Sequence, residues 1–471
     1  MELFHISAES YPAAKVGGLA DVVGALAKYQ QEQKHTVNVV IPCYETNFIK
    51  ENEFETVFWS HVALGQFNFP FSVLKGINND LGYQLYLIAI PELFDRAEIY
   101  GYKDDIERFV SFQKAFLDWL LTVDTKPTVI NCHDHHTALI PFLLNYGKKY
   151  VALKDIPTLL TVHNALYQGQ FGFDKLHYFP EYDLSKTDIL QWNGCINSMA
   201  AGLRCARAIT TVSPNYLNEI CYSGNGLEML FNQVKYKSRG ILNGIDTVVW
   251  NPETDSKIEF NYSVATCEMG KQKNKEKLCK MFDLDVHKPL ISYIGRLYDE
   301  KGADLLYEFV KKSLSEKERE INILILGSGN VGIEKQLQEL VADYSGHYNV
   351  YIGFNEDMAH LMYAGTDFLL MPSRVESCGL NQMYAYRYGA IPVVRNTGGL
   401  KDTVIDIDEK GFGIGFNQAS VEDMLLAKDR AVELFHKKNE RIAIIESGMM
   451  LNHSWEKAYK EYLEMYNLII K

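Results

Sequence analysis

Five places in the sequence set cations, carboxylates, histidines or paired glycines where a short apolar run ends. The first is Lys15-Val16-Gly17-Gly18-Leu19-Ala20-Asp21, between a strand-like and a helix-like stretch. Paired glycines let the backbone approach a ligand closely, and a helix start offers free N–H groups with positive partial charge. Lys15 adds a full charge, so the loop suits a diphosphate. It matches neither a G-x-G-x-x-G nor a Walker pattern, and by itself it reads first as a plain tight turn. The second place is Gly295-Arg296-Leu297, with Lys301-Gly302 just beyond. Two cations at a strand's carboxyl end fit a pyrophosphate leaving group. Without a metal site they must neutralise the departing charge themselves, although alone the pattern also describes a solvated surface loop. Gly327-Ser328-Gly329-Asn330, after the next strand, is either a cradle for ligand or an ordinary turn.

The third place is Met371-Pro372-Ser373-Arg374-Val375-Glu376-Ser377-Cys378-Gly379-Leu380, with a helix expected from about Gly379. A carboxylate held there, beside free N–H groups, could accept hydrogen bonds from sugar hydroxyls. Arg374 and Glu376 crowd a point where packing alone would not need charge. The fourth is His133-Asp134-His135-His136. Adjacent residues in a strand-to-helix turn splay outward, whereas a metal needs convergent ligands. Hydrogen bonding to sugar or phosphate therefore ranks ahead of a satisfied turn, and metal comes last. The fifth is Thr161-Val162-His163-Asn164. A lone histidine at a strand end is often structural, but five strand ends marked this way form a pattern.

Such residues need a scaffold that brings strand ends together. Apolar, β-branched runs at 2–8, 37–42, 84–90, 128–132, 158–163 and 208–212 alternate with helical patterns such as 19–31 and 106–121. This is the signature of a parallel, doubly wound α/β sheet. Residues 251–288 turn polar and charged, and the run Lys271 to Lys277 reads as a solvated helix face. The alternation restarts at 290–294, 321–326, 349–352, 368–371 and 391–394. Two doubly wound domains joined near residue 250 are expected, facing across a cleft of the kind that holds ligands in this architecture.

Composition narrows the partners. The chain has 471 residues, 47% of them hydrophobic and 23% charged, enough to bury a sizeable core without staples. A net charge of −13 argues against nucleic acid or anionic membranes and permits a neutral polymer. The eight cysteines form no C-x-x-C pair and read as buried, reduced thiols. No signal peptide or bilayer-long apolar run is visible, so a cytoplasmic protein is expected.

The ordered motifs resemble those of bacterial glycogen and plant starch synthases. They are Lys15 to Asp21, His133 to His136, Val162 to Asn164 with Tyr167-Gln168-Gly169, Leu242 to Asp246, Gly295 to Leu297 with Lys301-Gly302, Pro372 to Leu380, and Arg387-Tyr388-Gly389 through Val404. The likeness runs from the first strand to Ser454-Trp455, and 371–404 is its most specific part. It implies the GT-B fold, two Rossmann-like domains with the active site between them. The division expected is 1–248 on the acceptor side, with a helix at about 455–471 folding back, and 249–454 for the nucleotide sugar. It implies glucose transfer with retention from ADP-glucose, or UDP-glucose, to the non-reducing end of an α-1,4-glucan, with no metal ion and no other cofactor. By resemblance, Lys15, Gly17 and Gly18 meet the donor's diphosphate and glucose. Gly295, Arg296 and Lys301 serve the pyrophosphate, Glu376 holds glucose hydroxyls, and Cys378, Gly379 and Leu380 orient sugar and phosphate. His163 lies on the face of attack with its carbonyl near the anomeric carbon. Asp134 belongs to the acceptor side, and Asp21 and Asn243 line the cleft.

The chain departs from the family pattern at three positions. His135 stands where a tryptophan is usual, Ser377 where a proline is usual, and Tyr384 where neighbouring families carry a second glutamate near the ribose. Double displacement would need a nucleophilic carboxylate about 5–5.5 Å from its acid partner. Glu376 is expected at the hydroxyls, so same-face attack is favoured, with domain closure excluding water. The charged region 251–288 and the last helix would form the hinge. Other retaining GT-B transferases, a phosphorylase and a catalytically dead glucan binder are the alternatives. The long match around Glu376, the chain length, and the intact Lys15, Arg296, Lys301 and Glu376 speak against them in turn.

Overall fold

The structure, a computed structural model, describes residues 1–77, 80–315 and 320–471. The chain divides into two compact units: Met1–Gly244 with Trp455–Lys471, and Ile245–Ser454.

In the first unit the strands are β1 (Glu2–Ile6), β2 (Thr36–Pro42), β3 (Phe54–Leu64), β4 (Phe67–Gly76), β5 (Gln84–Ala89), β6 (Val129–His133), β7 (Thr158–Val162), β8 (Gln170–Phe171), β9 (Gln191–Trp192), β10 (Cys195–Asn197), β11 (Ala208–Thr211) and β12 (Ser238–Gly240). Nine of them make one sheet in the order β12-β11-β7-β6-β1-β2-β5-β4-β3, and β8-β10-β9 form a small separate sheet. The chain builds outward from β1 first through β2, then through β6, so the strand order reverses between β1 and β6. In doubly wound sheets the loops at such a switch point collect ligands.

The sheet is not parallel throughout. β3 and β4 form an antiparallel hairpin at its edge, turning at Gly65 with φ of +61°. Along β3 most side chains face outward until Val62 and Leu64, which are buried. That one-sided burial is typical of an antiparallel edge, whereas parallel strands are covered on both faces.

Helix Gly18–Glu32 buries Val22, Val23, Leu26, Ala27 and Gln30 along one stripe. The last helix, Trp455–Ile470, buries Trp455, Ala458, Tyr462, Met465, Tyr466 and Ile469 at the same spacing. It packs beside helix Gly18–Glu32 and is tied down by Arg239 to Glu464 at 2.6 Å and His35 Nε2 to the Tyr459 hydroxyl at 2.9 Å.

The second unit carries β13 (Leu290–Ile294), β14 (Asn322–Gly327), β15 (Tyr348–Ile352), β16 (Phe368–Met371), β17 (Ile391–Arg395) and β18 (Ile414–Phe416). They pair in parallel in the order β15-β14-β13-β16-β17-β18, the Rossmann order, with the switch point between β13 and β16.

The charged segment after residue 251 departs in part from the sequence expectation. The charge run in helix Cys267–Phe282 is a solvated face only in part: Gln272, Lys273 and Glu276 are exposed, but Lys271 and Lys275 are buried. The two are four residues apart and share one face of the helix. Lys271 donates to the carbonyls of Ala364, Thr366 and Tyr388 at 2.9–3.1 Å, and Lys275 pairs with Asp367 at 2.7 Å. Burial pushes the Lys271 ammonium down to about 7. Buried cations survive when every proton finds an acceptor, and here the carbonyls at the end of helix Glu356–Gly365 supply several.

Candidate active site

In the first unit, the loop after β1 is organised by a residue that the sequence reading passed over. Buried Glu9 accepts the N–H of Val16 at 2.5 Å and of Gly17 at 3.0 Å with one oxygen, and the Tyr100 hydroxyl at 2.6 Å with the other. Burial raises its pKa. The Gly17 amide is thus occupied, and the donors left at this turn are those of the first helical residues, Gly18 and Leu19, which have no intrahelical acceptor. Lys15 reaches Asp21 at 2.7 Å, so its charge is already met by a carboxylate in the first turn of the helix that follows. A bound diphosphate would have to compete with Asp21.

Asp134, directly after β6, takes the left-handed backbone conformation (φ +57°). Its Oδ1 accepts the backbone N–H of His163 at 2.7 Å and of Asn164 at 3.3 Å. The carboxylate therefore fixes the backbone at His163, and burial pushes its pKa up to about 7. His133 to His136 do not converge. Among the described residues no three His, Cys, Asp or Glu side chains group so as to hold a metal ion. His135 instead faces an open cavity of about 510 Å³ lined also by Leu166, Tyr167, Gln168, Gln170 and Asn225. Asn243 is buried, with no partner for its Oδ1 among the described residues.

His163 belongs to a buried polar stripe on one face of the sheet. His5 on β1 sits opposite Asn131 on β6, His133 opposite Thr161 on β7, and Thr161 opposite Thr210 on β11. The rings join in a row: His163 Nε2 to His133 Nδ1 at 2.9 Å, and His133 Nε2 to His5 Nδ1 at 3.0 Å. Gln30 and Tyr466 cover the stripe from the first and last helices. The signal was present in the sequence. Strands of a buried parallel sheet read as near-continuous apolar runs, and here polar residues recur at alternate positions.

These rings set a pH dependence. Burial pushes His163 down to about 3 and His5, His135 and His453 down to about 4, with His133 and His136 also lowered. Above pH about 6.5 the imidazoles are neutral in folded and unfolded chains alike. Below it the unfolded chain binds protons that the folded chain refuses, so stability falls as pH drops toward about 4. Glu9 and Asp134, with raised pKa values, pull the other way across the same window, but six histidines outweigh two carboxylates. The expected net slope is on the order of a few kcal/mol per pH unit. Calorimetric Tm values should already decline gently from pH 8 to 7, where buried Lys271, lowered to about 7, binds its proton less readily folded than unfolded, and should fall steeply from 6.5 to 4.5. A flat profile through that lower range would contradict the neutral, buried assignment.

In the second unit, the loops after β13 and β16 interlock. Lys301 ends a short turn, Asp299–Lys301, capped by Gly302 at φ +69°. A Cβ on Gly302 would stand 2.3 Å from the Pro372 carbonyl oxygen, so only glycine lets the turn lie against the second loop. The Lys301 ammonium donates to Glu376 Oε2 at 2.7 Å, and the Ser373 hydroxyl donates to the same oxygen at 3.0 Å. Arg296 is half-exposed and pairs with Glu300. Gly295 lies where the Gly327 backbone passes closely, since a Cβ there would meet the Gly295 carbonyl oxygen. The turn Gly327 to Asn330 is zipped to Leu297 through backbone bonds of 2.8 and 2.9 Å, and the Gly329 amide is taken by Glu334 at 2.7 Å. It serves packing.

Arg374, which stood out in the sequence, fastens the loop. It holds Asp304 through two bonds of 2.5 and 2.8 Å and donates to the Asp299 carbonyl at 2.7 Å. Cys378 is buried and Gly379 has φ +76°. The helix begins at Asn381 rather than at Gly379, with Leu380 as its N-cap residue. Tyr384 stacks on Trp250 at 3.9 Å, and Trp250 stacks in turn on His360 at 3.8 Å. The Tyr384 ring is committed to this packing.

Comparison with known proteins fits this geometry. The starch synthase catalytic domain family matches residues 2–233, and the group 1 glycosyl transferase family matches residues 274–443. The catalytic domain of Arabidopsis thaliana starch synthase IV, solved with ADP and acarbose, superposes with a TM-score of 0.92 at 30% identity, covering 100% of this chain and 99% of that one. Sucrose-phosphate synthase from Thermosynechococcus elongatus shares the fold, with a TM-score of 0.65 at 15% identity over 99% and 98% of the two chains. The class is therefore that of the GT-B glycosyltransferases. The chain is 62% identical to the glycogen synthase of Flavobacterium johnsoniae over the full length of both, and 36% identical to that of Finegoldia magna, again over the full length of both. It belongs to the glycogen synthase family. Among the described residues no helix is long and apolar enough to cross a membrane.

Proposed function

We propose that the protein transfers glucose with retention from ADP-glucose to the non-reducing end of an α-1,4-glucan, without a metal ion, in the cytoplasm. The observation that carries this reading is the contact of Lys301 with Glu376 at 2.7 Å, at the switch point of the second sheet and beside Arg296. A cation for a leaving phosphate and a carboxylate for sugar hydroxyls stand side by side, as the donor's own chemistry requires. The starch synthase IV structure, which holds ADP and acarbose, supports both the nucleotide and the glucan.

In this mechanism Glu376 accepts hydrogen bonds from glucose hydroxyls, while Arg296 and Lys301 neutralise the departing diphosphate; the family resemblance assigns Lys15 and Gly18 to the donor as well. The bond from the anomeric carbon to the phosphate oxygen breaks, and the bond to the acceptor's 4-hydroxyl oxygen forms on the same face. The hydroxyl proton passes to the departing phosphate. His163 faces this exchange, Asp134 holds its backbone in place, and the cavity beside His135 and Tyr167 receives the glucan. Charge stabilisation by fixed cations is the dominant contribution to rate.

Incubation with labelled ADP-glucose or UDP-glucose, glycogen and EDTA tests each part. Label should enter α-1,4 linkages from ADP-glucose at an undiminished rate in EDTA. Preference for UDP-glucose, or loss of transfer on chelation, would overturn the corresponding part.

A further inference from the structure

A row of neutral imidazoles transmits a single choice. Each ring has one N–H and one bare nitrogen, so rings bonded in series must all face the same way. The direction is set at the far end of the row, by a group that can only accept. Asn131 Nδ2 donates to the Cys132 carbonyl at 3.4 Å and to Thr161 Oγ1 at 2.9 Å, which turns its Oδ1 toward the Tyr466 hydroxyl at 3.0 Å. Having given its only proton to Asn131, Tyr466 accepts from Gln30 Nε2 at 3.0 Å. Gln30 Oε1 therefore faces His5 Nε2 at 2.7 Å, and that nitrogen carries the proton. His5 Nδ1 is bare and accepts from His133 Nε2 at 3.0 Å, and His133 Nδ1 is bare and accepts from His163 Nε2 at 2.9 Å. His163 ends with its proton directed inward. Its Nδ1 lone pair has no partner among the described residues and is not one of the sealed, unsatisfied atoms.

We propose that Tyr466, Gln30, His5 and His133 are positioning residues that lock His163 in the Nε2–H tautomer, making Nδ1 a permanent hydrogen-bond acceptor for a substrate hydroxyl. The components are almost fully buried: His5, His133 and Gln30 are 0% exposed and Tyr466 is 1% exposed. Water therefore cannot re-orient the row. Burial also holds the rings neutral, since it pushes His5 and His163 down to about 4 and about 3. A fixed lone pair attracts a neutral hydroxyl and gives nothing to a phosphate oxygen, which lacks a proton to donate. The atom thus selects the sugar of the donor over its diphosphate. Its bearing on catalysis rests on the reading of function above, which places His163 at the reacting sugar.

The test uses the full chain labelled with 15N-histidine, at pH 7.5. Long-range 1H–15N spectra report which ring nitrogen carries the proton, with no need for activity. In the wild type, His163 is expected as the pure Nε2–H form. Tyr466→Phe keeps the ring on helix Trp455–Ile470 but removes the hydroxyl that orients Gln30. His163 should then become a mixture of tautomers. The kcat should fall roughly tenfold, the worth of one neutral hydrogen bond, with the KM for nucleotide sugar within about twofold. If Tyr466→Phe does not accumulate folded, Gln30→Met gives the same two readouts. A proton on His163 Nδ1 in the wild type overturns the proposal. So does an unchanged kcat in a variant whose tautomer has shifted. Wild-type protein that holds the Nε2–H form but transfers no glucose would remove the functional reading and leave the relay standing, so the two failures are distinguishable.

Discussion

A Lys301→Ala variant is expected to turn over on the order of 10²–10³ times more slowly, the usual cost of removing one charge donor from a preorganised site. The structure gives two reasons for a large effect. Lys301 is the cation fixed directly on Glu376, at 2.7 Å, and its turn is locked by Gly302 against the loop after β16. It therefore needs little reorganisation when charge develops on the leaving phosphate. Its removal also leaves the mostly buried Glu376 carboxylate with only the Ser373 hydroxyl at 3.0 Å on that oxygen. The loss should fall on kcat, with a smaller change in KM for the nucleotide sugar. Steady-state kinetics with glycogen in excess measures both. Turnover within about fivefold of wild type would refute the assignment, because the charge donor cost would then be absent.

How much of this could be read from the sequence differed between the two units. In the second, apolar runs and cationic loops coincide in the chain, so Arg296, Lys301 and Glu376 could be named with their strand ends. Arg374 was visible as a charge out of place, but its partners, Asp304 and the Asp299 carbonyl, lie some seventy positions away, and sequence spacing says nothing of that. In the first unit, Lys15 and His163 were legible and their supports were not. Glu9 looks like an ordinary charged residue, and only its contacts with Val16, Gly17 and Tyr100 give it a role. Tyr466 reads as one position in an amphipathic stripe, until the fold brings it to Gln30, 436 residues away in the chain. The β3–β4 hairpin was missed because the expected strand–helix alternation has no place for it.

Gly398→Ala should inactivate the protein at least about 100-fold, the scale of a displacement near 1 Å at a reacting centre. Gly398 has φ +45°, a conformation that side chains resist, and its added Cβ would lie 1.8 Å from the Glu376 carbonyl oxygen. That neighbour is backbone, so no rotamer change relieves the clash. The same carbonyl accepts the Gly399 amide at 3.0 Å, and a Cβ on Gly399 would lie 2.3 Å from the Cys378 carbonyl oxygen. The loop that presents Glu376 is thus moulded onto two glycines, and moving one end moves the carboxylate. The backbone conformation alone costs about 1–3 kcal/mol, and the clash adds to it, but both are confined to this loop. Circular dichroism and Tm should change modestly while kcat/KM collapses. Retention of more than about a tenth of wild-type kcat/KM would show that the loop has slack the structure does not suggest.

The return of residues 455–471 to the first unit has a consequence for the order of synthesis. A ribosome issues the nine strands of the first sheet by Gly240, then all six of the second by Phe416, and only afterwards helix Trp455–Ile470. N-terminal domains usually fold first during synthesis. Here the unit that starts first is completed only after the second, because the side chains that seal it, Tyr462 and Tyr466, follow the whole of the second unit in the chain. Until they arrive, Gln30 lacks the hydroxyl that orients it, and a chain cut short before Trp455 carries every residue named at the strand ends but not the element that aligns His163.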